Sequence, residues 1–288
     1  MAYEISLLTL VGIMVLFALS LNLITGFCGQ ISLGHAAFYG AGAYGAAMLT
    51  KAGVPFALAL PAGALVAGAL GVLVGFASLR VRHDFLAITT MGVGFLFLGI
   101  VRQQDALGGE LGISAIPDPG LGKLGYMALC LALAAALALF SAYVKRSWMG
   151  TAFEAIADDE DTARTLGVEV ARYKLVAFAL GTAFAGLAGG LYAHFYKFID
   201  PESFGFIESI TVLSMVVVGG IGSIWGVIVA AVVLTLLPQV FQVIDQYKLL
   251  LYGGLLFGVM RFGSGGLAGL ARAVADRLRP GRVGRPGP

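Results

Sequence analysis

Charged side chains are scarce in this sequence. They make up 12% of its 288 residues, against the roughly 25% that is usual in soluble domains. Hydrophobic residues make up 59%, and the mean hydropathy is +0.93. A soluble core of this length would not need so much apolar surface. The composition therefore excludes a soluble domain and predicts a polytopic membrane protein.

Cysteine and histidine are also scarce, with two and three residues. Cys28 and Cys130 lie in separate apolar segments without metal-ligand spacing, so we interpret both as buried thiols. His83 and His194 are expected at opposite ends of the bundle, away from His35. The sequence predicts neither a disulfide framework nor a metal site.

The amino-terminal sequence MAYEIS has no basic residue, unlike the first part of a cleaved signal peptide. The apolar run that follows is therefore predicted to remain in the membrane as a first helix. A helix needs about 20 apolar residues to cross a hydrocarbon core of about 30 Å. By this criterion the predicted spans are 5–27, 31–50, 55–79, 85–101, 124–144, 175–196 and 247–262.

The stretch 207–237 is too long for one upright helix and rather short for two. A glycine-rich break lies near its middle, at Gly219, Gly220, Gly222 and Gly226. Two interpretations are open for these glycines. They form either a tight turn between two short helices or a flexible gate, because broken helices mark the transport path in other membrane folds.

The distribution of basic residues favours the turn. Lys and Arg collect on the cytoplasmic side of membrane proteins. Arg80, Arg82, the loop 145–174 and the tail from Arg261 hold 13 of the 18 basic residues. These segments share one side if the chain crosses the membrane an even number of times within 207–237. The amino terminus is then outside and the carboxyl terminus in the cytoplasm.

The predicted fold is an all-α bundle of about 8–10 transmembrane helices, nine by this count. Residues 1–270 form the transmembrane domain, and 271–288 are predicted to be a disordered basic tail near anionic lipid headgroups. Small residues four apart allow helices to approach closely in lipid. Such residues recur at Gly63, Ala67, Gly71 and Gly75, and again at Gly181, Ala185 and Gly189.

The loop 145–174 carries 11 of the 34 charged residues. Apolar residues at helical spacing flank its acidic cluster: Phe153 with Ile156, and Ala163 with Leu166. We predict two short helices on the membrane surface, with Asp158 as the amino-terminal cap of the second, Asp161 three residues on, and Gly167 as its left-handed end. A soluble partner would bind this loop; a solvated connector is the alternative.

Five stretches of the sequence carry a resemblance to a known family. The loop contributes GTAFEAIADDEDTARTLGVEVARYKLVAF at 150–178. The others are SLNLITGFCGQISLGHAAFYGAGAY at 20–44, HDFLAITTMG at 83–92, FIDPESFGFIESI at 198–210 and VVVGGIGSIWG at 216–226. Together they resemble permeases of the branched-chain amino acid ABC importer family, the LivM-type subunit.

This resemblance implies a type II-like importer permease in a bacterial cytoplasmic (inner) membrane. It implies a heterodimer with a second, related permease subunit, two cytoplasmic ATPase subunits and an extracytoplasmic solute-binding protein. The loop would seat in a groove of the ATPase, with Glu154, Ala163 and Gly167 in the family's coupling pattern. The residues predicted to take part in this coupling are Phe153, Glu154, Ile156, Asp158, Asp159, Ala163, Leu166 and Gly167.

No nucleotide-binding motif occurs in the sequence. A phosphate-binding loop needs Gly, four residues, then Gly-Lys-Ser/Thr. The one Gly-Lys pair, Gly122 and Lys123, has Pro117 in place of the first glycine and Leu124 in place of the hydroxyl. ATP and Mg are therefore expected on the ATPase subunits, with no cofactor on this chain. Lipid is the other expected contact, and no nucleic acid is expected.

Polar residues within spans are the default candidates for a translocation path. The candidates are Asn22, Gln30, Ser32, His35, Tyr39 and Gly42. His35 either lines this path or packs within the bundle through a hydrogen bond. At the outer side, Tyr192, His194, Asp200, Glu202 and Glu208 are either part of a vestibule or ordinary residues of the membrane interface.

The predicted function is that of a permease subunit in an ATP-driven importer that works by alternating access. The resemblance implies branched-chain amino acids, or a related small polar solute such as urea or an amide, as the substrate. The alternative is an ion-coupled transporter or channel that works alone. That alternative would require buried charges at mid-span, and Glu208 is the nearest approach to one.

Overall fold

A computed structural model of the chain describes residues 2–78, 83–240, 248–262 and 265–269. Arg80 and Arg82, used above to orient the chain, and the basic tail predicted for 271–288 lie outside these ranges.

The described residues are almost entirely helical. The amino-terminal half contains α1 (Ala2–Leu21), a π-helix (Asn22–Phe27), α2 (His35–Lys51), α3 (Phe56–Ser78), α4 (His83–Gln103) and α5 (Gly122–Arg146). The charged loop contains α6 (Trp148–Asp158) and α7 (Glu160–Thr165). The remainder contains α8 (Val170–Tyr196), α9 (Phe206–Gly219), α10 (Ile224–Val240) and α11 (Lys248–Phe262).

Six apolar stretches in the described helices are long enough to cross a bilayer: Tyr3–Phe27, Phe56–Ala77, Leu86–Gln103, Gly122–Arg146, Val170–Tyr196 and Pro201–Gly219. The helices α2, α10 and α11 are shorter, with 15 to 17 residues. The prediction of an all-α polytopic membrane protein is confirmed. The orientation of the termini stays a prediction.

The longest helix, α8, defines the two ends of the bundle. Its 27 residues extend about 40 Å at 1.5 Å per residue. We call the end at Val170 the loop end, because α6 and α7 lie there. The end at Tyr196 is the far end. There, β1 (Ile113–Ser114) pairs antiparallel with β2 (Phe198–Ile199), a short pairing that the sequence did not predict.

Small residues hold α2, α3 and α8 together, as predicted from their spacing. A methyl group added at Gly186 would overlap the Ala67 side chain, and one at Gly71 would overlap Thr182. Near the far end, Leu60 and Ala46 approach Gly190 in the same way. These helices are packed backbone to backbone, so this part of the bundle is a rigid frame.

The glycine-rich break between α9 and α10 is a turn. Gly220 and Gly222 have φ of +103° and +77°, a left-handed backbone that favours glycine. Gly219 packs against Gly226 and Val227, so the two helices leave the turn in close contact. The predicted division of 207–237 into two helices is confirmed.

Candidate functional site

The inner faces of α6 and α7 pack against the rest of the chain. Phe153, Ile156 and Ala163 are all buried, and the Phe153 ring meets the Tyr173 ring edge to face with centroids 6.1 Å apart. We had predicted that these residues take part in the coupling surface. The structure places their side chains beneath the exposed surface of the loop, and a part in coupling stays a prediction for them.

The outer surface of the loop carries both charge and apolar area. The exposed members of the predicted coupling set are Glu154, Asp158, Asp159, Leu166 and Gly167. Leu166 is 75% exposed, and it lines a groove of about 460 Å³ together with Trp148 and Arg172. Most of the described residues that line this groove are apolar, and Glu169 and Arg172 are the charged ones.

The cap of α7 is one residue later than predicted. Asp159, not Asp158, is the amino-terminal cap, and its carboxylate accepts a hydrogen bond of 2.5 Å from the Thr162 amide. That bond to the Thr162 backbone lowers the pKa of Asp159. Asp158 instead ends α6, so the two helices share one connecting residue. The left-handed backbone predicted at Gly167 is confirmed, with φ of +86°.

A buried ion pair ties α7 to α8. The Lys174 ammonium lies 3.2 Å from the Glu160 carboxylate, and the side chains are 6% and 24% exposed. The Lys174 backbone carbonyl accepts a hydrogen bond of 3.0 Å from Gln30 Nε2. One residue of α8 is thus bonded both to the loop and to the segment before α2. This role of Lys174 was not predicted, although a lysine at the point where a helix becomes apolar is a signal for it.

Two further contacts join the loop end to the glycine turn. Lys145 Nζ, at the end of α5, donates a 2.6 Å hydrogen bond to the Gly222 carbonyl and lies over the Phe27 ring. The Gly222 amide donates to Asn22 Oδ1 at 3.0 Å. The π-helix therefore contacts both the glycine turn and the carboxyl-terminal end of α5. π-Helical turns within α-helices are frequent at functional sites.

Several predicted path residues make bonds within the bundle. Asn22 and Gln30 make the contacts described above. His35 is fully buried: its Nε2 lies 2.9 Å from Ser20 Oγ, and its ring stacks on Phe17. Ser32, three residues before His35, is buried as well. A role in lining the path stays a prediction for these residues.

Gly42 lies where α2 touches α8. A methyl group there would overlap the Gly186 backbone. The structure thus places Gly42 at a close helix contact, which is one of the two roles open for this face; a part in the path stays a prediction. A stripe of small residues serves close packing as readily as it serves a solute, and α8 occupies the space.

Tyr39 differs from the other path candidates because it borders open space. It lines a cavity of about 170 Å³ between α1, α2, α8, α9, α10 and α11, and we call this the tyrosine cavity. Tyr192, Tyr196 and Glu208 line it as well. The vestibule predicted near the far end thus brings Tyr192 and Glu208 together, whereas His194 bonds to Gly190 and Thr50. The sequence analysis missed Tyr196, which lies four residues after Tyr192 on α8.

Comparison with known proteins places this arrangement in a family. The family described as "Branched-chain amino acid transport system / permease component" matches residues 4–260. The permease protein LivM of a high-affinity branched-chain amino acid transport system of Salmonella typhimurium is 35% identical, over 93% of this chain and 71% of its own length.

Two other relatives are more distant or match less of the chain. BraD, a permease protein of a high-affinity branched-chain amino acid transport system in Pseudomonas aeruginosa, is 28% identical over 88% of this chain and 91% of its own length. LivH of Escherichia coli is 34% identical over 34% of this chain and 32% of its own length. No solved structure matches.

Proposed function

This chain belongs to the family of permease components of branched-chain amino acid transport systems, and we propose that it is one membrane subunit of an ATP-driven importer. As a member of that family it is a multi-pass membrane protein that serves transport, not an enzyme. The proposal adds the energy source, the partners, the orientation and the mechanism.

The observation that carries the proposal is the architecture of the loop end. A groove with an exposed leucine faces away from the bundle, while the same loop is bonded inward through Glu160 and Lys174. A motor protein that moves the loop would pull on α8 at its first turn. Because α8 is packed tightly on α2 and α3, the displacement would pass to the frame and not be lost in side-chain motion.

The proposed partners follow from the family and from the missing nucleotide motif. Two ATPase subunits would bind ATP and Mg and seat the loop, and a binding protein would deliver the solute at the far end. LivM and LivH are both named as permease proteins of high-affinity branched-chain amino acid transport systems, which supports a heterodimer with a second permease subunit. The inner membrane of a bacterium is the proposed location.

The proposed mechanism is alternating access. ATPase closure would favour one of two arrangements of the bundle, and ATP hydrolysis would release it. The turn at Gly219, Gly220 and Gly222 is held by Lys145 and Asn22 at the loop end, so it would follow the motion of α5 and α1. We therefore treat these glycines as a fixed turn that moves with the loop end, not as an independent gate.

A matched pair of variants tests the docking surface. Leu166→Asp places a charge in the groove, and Leu111→Asp makes the same change at a leucine that is 87% exposed near the far end. With the four partner subunits co-expressed, we expect Leu166→Asp to lose co-purification of the ATPase subunits and solute-dependent ATP hydrolysis. Leu111→Asp should retain the ATPase subunits. Equal retention by both variants would contradict the docking surface.

Two further measurements test the class and the orientation. Vesicles that hold this chain alone should show no uptake driven by a proton or sodium gradient; uptake there would establish the ion-coupled alternative. Asp159→Cys should react with a membrane-impermeant maleimide after lysis but not in intact cells. Labelling of intact cells would place the charged loop outside and refute the proposed coupling.

A further inference from the structure

The tyrosine cavity has the chemistry of a site for an organic cation. We propose that it binds the ammonium group of the solute during its passage through the membrane. This inference rests on the proposed function, and it adds a substrate-contacting site with Glu208 as the charged group and Tyr39, Tyr192 and Tyr196 as its aromatic walls.

The aromatic walls are continuous. Tyr39 and Tyr192 have ring centroids 5.5 Å apart, and Tyr192 and Tyr196 are 4.6 Å apart. The buried Phe204 ring supports Tyr39 and Tyr192 from one side at 5.5 and 6.0 Å. Tyrosine faces attract a cation within about 6 Å of the ring centre. Phe17 stacks on Tyr39 with centroids 4.2 Å apart, so Tyr192 and Tyr196 provide the more exposed aromatic surface of the lining.

The described residues of the lining carry one charged group. Glu208, in the first turn of α9, is the acidic residue among the described residues that line the cavity, and no Lys, Arg or His occurs among them. A carboxylate beside tyrosine rings in a partly desolvated site favours a cation over an anion. The cavity therefore selects the ammonium end of a zwitterion, not its carboxylate end.

Two buried hydroxyls in the lining lack a hydrogen-bond partner among the described residues. They are Tyr39 Oη, on a side chain that is 1% exposed, and Thr235 Oγ1. Hydroxyls within helices usually bond to the carbonyl four residues before, as Thr211 does to Ile207 in the same lining. Buried polar atoms that stay unpaired call for an additional partner, and a ligand in this cavity would supply it.

The volume fits a solute of amino-acid size. The cavity of about 170 Å³ is smaller than the roughly 300–1,000 Å³ of sites for drug-sized ligands. It would hold about five or six water molecules at the liquid volume of about 30 Å³ each. Leu10, Met14 and Ile207 provide an apolar wall for a branched side chain.

Charge selectivity at an engineered thiol tests the site without knowledge of the partners. Thr211 lines the cavity and is replaced by Cys, while the native Cys28 and Cys130 are buried. Two thiosulfonate reagents of similar size are compared, one with a trimethylammonium group and one with a sulfonate. We expect the cationic reagent to react faster, and Glu208→Gln to lower the ratio of rates by about tenfold, because one nearby unit charge is lost.

Glu202→Gln is the matched control. Glu202 precedes Glu208 by six residues, is exposed and pairs with Arg102, so its removal changes the net charge equally but outside the cavity. The ratio of rates should stay within about twofold of the parent in this variant, as expected for a screened surface charge. A similar fall in both variants, or no fall in Glu208→Gln, would overturn the site.

Ligand protection identifies the group that is bound. Leucine and 3-methylbutylamine should slow labelling of Thr211→Cys, whereas 4-methylpentanoate, which lacks the ammonium, should not. Tyr39→Phe removes the unpaired hydroxyl and should weaken protection by leucine, measured relative to the unprotected rate of the same variant. The proposal would be overturned if 4-methylpentanoate protected as well as leucine does, or if none of the three compounds protected the thiol.

The outcome is separable from that of the proposed function. Suppose that the assembled transporter imports leucine but that Glu208→Gln changes neither the labelling ratio nor the KM for uptake. The importer proposal then stands and the proposed ammonium site is wrong. If ammonium compounds protect the thiol but no ATP-dependent uptake occurs with the partner subunits, the site stands and the importer proposal fails.

Discussion

The two ends of α8 each carry a lysine–carboxylate ion pair, and the pairs differ in burial. At the far end Lys197 lies 2.6 Å from Asp118, with side chains 51% and 61% exposed. At the loop end Lys174 lies 3.2 Å from Glu160, and both are largely buried. The pair at the loop end has the longer distance, but it should contribute more to stability. Water and salt screen the exposed pair, whereas a buried charge that loses its partner has nothing to replace it.

This difference suits the two ends to different tasks. At the loop end, hydrogen bonds and a buried ion pair connect α5 with the glycine turn and the π-helix, and α7 with α8 and the segment before α2. At the far end two hydroxyls stay unpaired around an open cavity. The glycine-packed middle of α8 joins the two. The following predictions test this division, beginning with the largest expected effect.

Breaking the buried pair should have the largest effect. Glu160→Gln leaves the Lys174 ammonium without its counter-charge and should lower the free energy of unfolding by about 3 kcal/mol, the lower limit for such a loss because Glu160 keeps some exposure. Thermal unfolding in detergent would measure it. The double variant Glu160→Leu with Lys174→Met should recover most of the stability; a double variant as unstable as the single one would contradict this account.

Wedging the middle of α8 should have the next largest effect. Gly186→Ala adds a methyl that overlaps Ala67, and overpacking of this kind costs about 1–3 kcal/mol, less a gain of about 0.5–1 kcal/mol in helix propensity. We expect a net loss in unfolding free energy. Ala67→Gly in the same chain should restore it. Gly99→Ala, in α4 with nothing near the added methyl, is the control and should not destabilise the protein.

A change of backbone at the loop surface should have a smaller effect. Gly167→Ala meets no neighbouring atom but forces a side chain into a left-handed conformation, which costs about 1–2 kcal/mol. Amide exchange in α7 should rise, and Gly167→Asn should show a smaller rise because Asn tolerates this conformation. A larger rise in the Asn variant would mean that strain is not the cause.

The exposed pair at the far end should have the smallest effect. The hydrogen bond from Lys197, and then that from the Gly120 amide, lower the pKa of Asp118, so its contribution is present above the unfolded value of about 3.9 and is lost as the pH falls through the lower folded value. Asp118→Asn should therefore lower the melting temperature slightly near pH 7 and in low salt. It should have no effect at a pH below the folded pKa of Asp118. A difference that grows on acidification would contradict this assignment.

Much of the frame could be predicted from the sequence because local spacing determines it. The small residues from Gly63 to Gly75 and from Gly181 to Gly190 lie on single helix faces, and a stripe of this kind in lipid serves helix contact. The break at Gly219–Gly222 and the left-handed Gly167 follow from glycine's freedom to adopt positive φ. These features depend on residues that are close together in the sequence.

The candidate site was less predictable because it depends on residues far apart in sequence. Tyr39, Glu208 and Thr235 meet only when α2, α9 and α10 pack, and no spacing within one segment signals that cavity. The Asp158 prediction was wrong by one residue because either aspartate has suitable chemistry for a cap. Because α6 extends to Asp158, the next residue, Asp159, is the one that caps α7. For Gly42 the sequence left open whether a solute or a neighbouring helix comes close, because it does not say which helix will cover that face.

The non-helical stretch 28–34, between the π-helix and α2, constrains the order of assembly. Non-helical backbone inside a membrane protein is tolerated where protein supplies the hydrogen bonds. Leu33 N bonds to Thr90 on α4, and Ala36 N, just after the stretch, bonds to Ser209 on α9. Ser209 lies 173 residues further along the chain, so it leaves the ribosome long after this segment has entered the membrane. A chain that ends before α9 would therefore leave the Ala36 amide without its Ser209 partner, so its fold would be incomplete at its beginning as well as at its end.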